Sequence, residues 1–204
     1  MNFDQKITYS ETEYQILAIE QEFIIHPAAL GLLPLTSVSL QFPFRSSFHI
    51  EDYKLILDAM TVLGSNPLNS YNAKPEEDVL KDYSSLQLFY NGAILIGTGL
   101  IKEYYLKGNT PACFSYQNVY ELIFEDGQLI TTVDQSKAML RIRKNLELNL
   151  RTLYKPRDAH CILRFINTSL VGDYKPVRFR FRLLNYVREM KKNYSMLLLN
   201  HDRE

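Results

Sequence analysis

Asp126-Gly127 stands between two runs of alternating apolar residues, and it constrains the fold more than any other short feature of this chain. A type I′ turn needs positive φ at both central positions, and Asp-Gly adopts this at little steric cost. Glu125-Asp126-Gly127-Gln128 therefore predicts a hairpin in which Tyr120, Leu122 and Phe124 face Val133, Thr131 and Leu129. Tyr90-Asn91-Gly92-Ala93 carries the same signal, so an antiparallel meander is expected from about Ser85 to Val133. Gly97-Thr98-Gly99 follows the apolar run Ala93 to Ile96 but lacks the Lys-Ser/Thr pair and helix start of a phosphate loop. It reads as a bulge in a bent strand.

Helical periodicity surrounds that meander. Tyr14, Leu17, Ala18 and Ile24 fall on one face of a helix that Ser10 can cap and His26-Pro27 ends. Tyr53, Ile56, Leu57, Met60 and Leu63 make the stripe of a second helix, Glu51 to Leu63, with Gly64 closing it. Asp134 is placed to cap a third, Gln135 to Leu153, whose Met139, Ile142, Leu146, Leu150 and Leu153 face the core. A last helix is expected from Leu183 onward. Strands are expected at Ser37 to Phe44, His160 to Asn167 and Val177 to Arg182, and an exposed loop at Ser65 to Pro75. The expected class is α+β: a hairpin-built antiparallel sheet packed with four to five helices. With 204 residues, 46% apolar, and no linker-like segment, the chain reads as a single domain, 1–204.

Charge divides that domain. Residues 1–134 hold seven Lys/Arg against seventeen Asp/Glu, and residues 135–192 hold fifteen against four, so a formal net charge of zero conceals an acidic part, a basic part and a short C-terminal tail. Lys137, Arg141, Lys144 and Arg151 gather on the polar side of the helix after Asp134, Arg178, Arg180 and Arg182 on one strand face, and Arg188, Lys191 and Lys192 on the last helix. A face of nearly one sign points to a partner, because ordinary solvated helices mix signs. The first reading is a non-catalytic interaction or assembly protein that docks these residues on an acidic protein surface, its own or another's. The second is DNA or RNA binding by the same residues, since each Lys or Arg that neutralises a phosphate releases a counterion. A small enzyme with an acidic active site hidden from sequence is the third.

Motifs of chemistry are sparse. Asp158, His160 and Cys161 invite a nucleophile reading, but neighbours on the expected strand point to opposite faces, which separates His160 from Cys161 while Asp158 and His160 share a side. His26, His49 and His201 are too scattered for a metal site, and Glu121 with Glu125 reads as the solvated outer face of a strand. No cofactor or metal is expected. Cys113 and Cys161 read as free thiols. No apolar run is long enough for a membrane span, and Met1 to Ser10 lacks the basic start and apolar core of a signal peptide, so a cytoplasmic protein with no membrane partner is expected.

Overall fold

The computed structural model describes residues 5–31, 44–62, 79–104, 111–153 and 155–174, and they form a barrel. Its strands are β1 (Lys6–Tyr9), β2 (Thr12–Ile19), β3 (Phe44–Glu51), β4 (Lys54–Val62), β5 (Val79–Gln87), β6 (Gly92–Leu100), β7 (Tyr116–Glu125) and β8 (Gln128–Asp134), followed by α1 (Ser136–Glu147) and α2 (Pro156–Ser169). Neighbours run in the order β3-β1-β2-β6-β7-β8-β4, and the β3–β4 pairing closes the ring at seven strands, with β5 pairing along Ile56–Val62 on the same edge of β4 that meets β8 at Lys54. All pairings are antiparallel except β1–β3. The expected sheet packed with four to five helices is therefore wrong: the described residues are mostly strand, with two α-helices.

Two of the expected helices are hairpins, for one physical reason. Residues 10–19 turn at Ser10 and Glu11, both at positive φ, and run out as β2. Residues 51–62 turn at Asp52 and Tyr53, also at positive φ, and run out as β4. Each of these strands carries a register shift, between Ile16 and Ala18 in β2 and between Leu57 and Ala59 in β4. A bulge inserts one residue and breaks the period of two, so the apolar positions fall at helix-like spacings. The same confusion works in reverse at His160 to Asn167, which lies within α2: Ala159, Ile162, Leu163 and Ile166 are its buried face, and Pro156 occupies its first turn.

The Asp126-Gly127 hairpin forms as expected, with φ of 47° and 76°. Phe124 faces Leu129, but a shift between Ile123 and Phe124 then pairs Leu122 with Thr132 and Tyr120 with Asp134, one residue beyond the expected register. Asn91-Gly92 is not a hairpin turn. β5 pairs with β4 and β6 with β2 and β7, so these residues lead from one strand to another elsewhere in the sheet. Asp134 Oδ1 accepts the Ser136 amide at 2.8 Å at the start of α1, yet the helix ends at Glu147, short of the expected Leu153. The strand at 177–182, the helix from 183, the loop at 65–75 and all but the last residue of the strand at 37–44 lie outside the described residues.

Burial divides into two main layers. Ile7, Ile16, Phe48, Leu55, Leu57, Ile94, Ile96, Leu122 and Phe124 fill the barrel. On its outer face Leu17, Ala93, Leu95 and Val119 meet Met139 and Ile142 of α1 and Ile162, Leu163 and Ile166 of α2. β6 is thus covered on both sides, which explains the uninterrupted apolar run Ala93 to Ile96. Gly97 continues it because a Cβ there would lie 2.8 Å from Leu17 Cδ1.

Candidate docking surface

α1 and α2 lie over the barrel with their apolar sides inward, so their polar residues form an outer layer. Lys137, Arg141 and Lys144 are exposed along α1, and Arg151 is exposed in the connection that follows it. From α2 come Arg157, His160 and Arg164, at spacings that place them along one side of a helix. Arg164 was not among the expected set because His160 to Asn167 reads as a strand, and Arg157 precedes that segment; their separation by two helical turns was the available signal. Arg178, Arg180, Arg182, Arg188, Lys191 and Lys192 lie outside the described residues.

Acids in this layer are engaged. Arg151 Nη1 donates to Asp158 Oδ1 at 3.1 Å, and Asp158 Oδ2 accepts the Thr152 amide at 3.2 Å, which ties the connection to the first turn of α2. Glu147 accepts the Tyr104 hydroxyl at 2.9 Å, and burial together with that carboxylate pushes the phenol up to about 12. Among the described residues, Lys137, Lys144, Arg157 and Arg164 form no ion pair with a carboxylate. Arg143 points the other way. It is buried, with Nη1 donating to the carbonyls of Phe114 at 3.0 Å and Tyr116 at 2.6 Å, so it fastens α1 to the barrel.

Leucines interrupt the cations. Leu140 is 42%, Leu148 68% and Leu150 64% exposed. Between the helices lies a cleft of about 190 Å³, with Arg141, Asn145 and Arg151 offering polar atoms and Cys161, Ile162 and Phe165 an apolar wall. The Arg141 guanidinium sits 5.5 Å from the centre of the Phe165 ring, a cation–π contact that holds the charge at the mouth.

The arrangement offers charge and apolar surface but no assembled reaction chemistry. On α2, Asp158 and His160 are about 160° apart, so they do not share a face as a strand would have allowed. His160 is exposed, while Cys161 lines the cleft. Glu121 is fully buried rather than solvated: it accepts Gln135 Nε2 at 2.6 Å and the amides of Val171 and Gly172 at 3.0 Å each. Those donors make it a clamp on the chain leaving α2. Burial and the Glu121 charge push the Tyr174 hydroxyl up in pKa. His49 pairs with Asp58 on the barrel wall, with Glu51 Oε2 3.8 Å from its other nitrogen. No group of three or more His, Cys, Asp or Glu among the described residues is placed to hold a metal ion. No helix among them is long and apolar enough to cross a membrane. Comparisons with models of protein families, with curated proteins and with solved structures find no match for this chain.

Proposed function

We propose that this chain is a non-catalytic docking protein whose two-helix layer binds the acidic surface of a protein partner. The observation that carries the reading is the exposure of Leu140, Leu148 and Leu150 among Lys137, Arg141, Lys144 and Arg151. Cations alone suit any polyanion. Leucines set between them suit a surface that offers both carboxylates and apolar side chains, which a phosphate backbone does not. Covering a half-exposed leucine contributes roughly 1 kcal/mol, so the three supply affinity while the charges set approach rate and register.

Titration with a synthetic peptide that alternates Glu and Phe, and in parallel with duplex DNA, at low and high salt separates the two classes of partner. The peptide is expected to bind, with Arg141→Glu abolishing binding and Leu148→Ser and Leu150→Ser each weakening it about fivefold, in line with roughly 1 kcal/mol apiece. Binding of DNA alone, steeply dependent on salt and indifferent to the leucines, would replace this reading with nucleic-acid recognition.

A further inference from the structure

A second patch carries the complementary chemistry. The β3–β4 turn at Asp52-Tyr53, the β7–β8 turn at Asp126-Gly127 and the connection from Leu88 to Asn91 converge at one place. Leu129 N donates to the Tyr53 carbonyl at 2.6 Å, Leu55 N to that of Gly127 at 3.0 Å, Gly127 N to that of Tyr90 at 2.9 Å, and Leu88 N to that of Leu55 at 2.8 Å. Asn91 grips the Asp126 backbone and side chain, accepting from Asp126 N at 2.6 Å and donating to Asp126 Oδ1 at 3.2 Å. This is a fixed platform, yet it holds two aromatic rings in solvent: Phe89 is 80% and Tyr53 71% exposed. Glu51, Asp52, Glu125 and Asp126 are exposed around them. Large exposed rings ringed by charge mark a contact surface, and aromatic anchors carry much of the energy of such contacts.

The two patches match in sign and in apolar content. Four carboxylates complement a layer in which Lys137, Lys144, Arg157 and Arg164 form no ion pair with a carboxylate among the described residues, and two rings complement a cleft walled by Ile162 and Phe165. Its volume of about 190 Å³ exceeds the roughly 150 Å³ in which a buried protein cavity holds benzene. On one molecule they cannot meet. The Asp126-Gly127 turn precedes β8 and α1 follows it, so the length of Gln128–Asp134, about 20 Å at the rise of a strand, separates them.

We infer that the partner docked by the helix layer is a second copy of this chain, with Phe89 of one copy entering the cleft between α1 and α2 of the next and Glu125 and Asp126 meeting its Arg141 and Lys144. The inference rests on the docking reading and names its occupant. Two different patches make a heterologous contact, which repeats head to tail unless a ring closes.

Sedimentation of the full chain tests this with two variants, Phe89→Ser on the acidic patch and Arg141→Glu/Lys144→Glu on the basic one. The wild-type mass is expected to rise beyond a dimer with concentration at low salt and to fall with added salt. Each variant alone stays monomeric, and an equimolar mixture forms a dimer and stops there, because only one sound interface remains. Unchanged thermal melts show that the variants fold; if one does not, Tyr53→Ser and Leu150→Ser take their places at the same two patches. A wild type that is monomeric at every concentration and salt overturns the inference, as does a mixture that fails to pair. Should the Glu/Phe peptide still bind through Arg141 in that case, self-association falls and the docking reading stands; if the peptide fails as well, both fall.

Discussion

Gly127 approaches the carbonyl of Leu88 so closely that a Cβ at this position would lie 1.9 Å from the oxygen. The Asp126-Gly127 turn is therefore pinned to the β5–β6 connection by contact as well as by the hydrogen bond from Gly127 N to Tyr90. Gly127→Ala adds a methyl group where no space exists and where φ is 76°. Left-handed backbone costs a non-glycine residue about 1–2 kcal/mol, and forced overpacking costs about 1–3 more. Urea unfolding is expected to show a loss of roughly 3 kcal/mol. A variant as stable as the parent would mean that the turn does not bear on the connection.

Glu121 fastens the end of α2 to the barrel through the amides of Val171 and Gly172. Glu121→Ala leaves buried donors without an acceptor, and breaking such a charge-assisted set costs roughly 3 kcal/mol. The expected signature is local: amide exchange at Val171 and Gly172 accelerates far more than exchange in β6. Uniform acceleration through the barrel would contradict the clamp.

The two cysteines, both free, should differ in reactivity. Cys113 is fully buried, and burial pushes its thiol up to about 12, whereas Cys161 is partly exposed at the cleft. Native protein treated with iodoacetamide near neutral pH is expected to take up label on Cys161 and none on Cys113 until it unfolds. Labelled protein should also lose peptide binding, since the adduct fills the cleft. Full binding after complete labelling of Cys161 would remove the cleft from the docking surface.

Alkaline pH should destabilise the fold through two groups held neutral in it, Tyr90 in the barrel and Cys113 in the layer between barrel and helices. Burial pushes Cys113 up from 9.0 to about 12 and Tyr90 up from 10.0 to about 12. The unfolded chain loses these protons first, so their contribution to stability is whole below about pH 9 and is lost as pH rises toward 12. Chemical denaturation across this window is expected to show a continuous fall. A flat profile would mean that neither group is shielded from water.

Local backbone chemistry was legible in the sequence where a residue type forces a conformation. Asp126-Gly127 announced its hairpin, but Ser10-Glu11 and Asp52-Tyr53 make the same positive-φ turn without glycine, and nothing in those residues signals it. Bulges in β2 and β4 then turned strand patterns into helical ones. Closure of the barrel depends on β3 pairing with both β1 and β4, contacts set by packing across the chain rather than by any local pattern. The site divides in the same way. Lys137, Arg141 and Lys144 were visible as one helix face, while Leu150, expected in the core, is left in solvent beside Leu148 because α1 ends at Glu147. Tyr53 looked like core on a supposed helix and is instead an exposed turn residue.

The central claim is that the layer formed by α1 and α2 is the docking surface, and amide shift mapping reads it residue by residue. With the Glu/Phe peptide added to isotope-labelled protein at low salt, the account predicts shifts confined to Lys137–Lys144, Leu148–Arg151 and the exposed side of α2, reversed by salt and absent in Arg141→Glu. Shifts centred instead on the barrel wall around His49 and Asp58, with the helices silent, would contradict it.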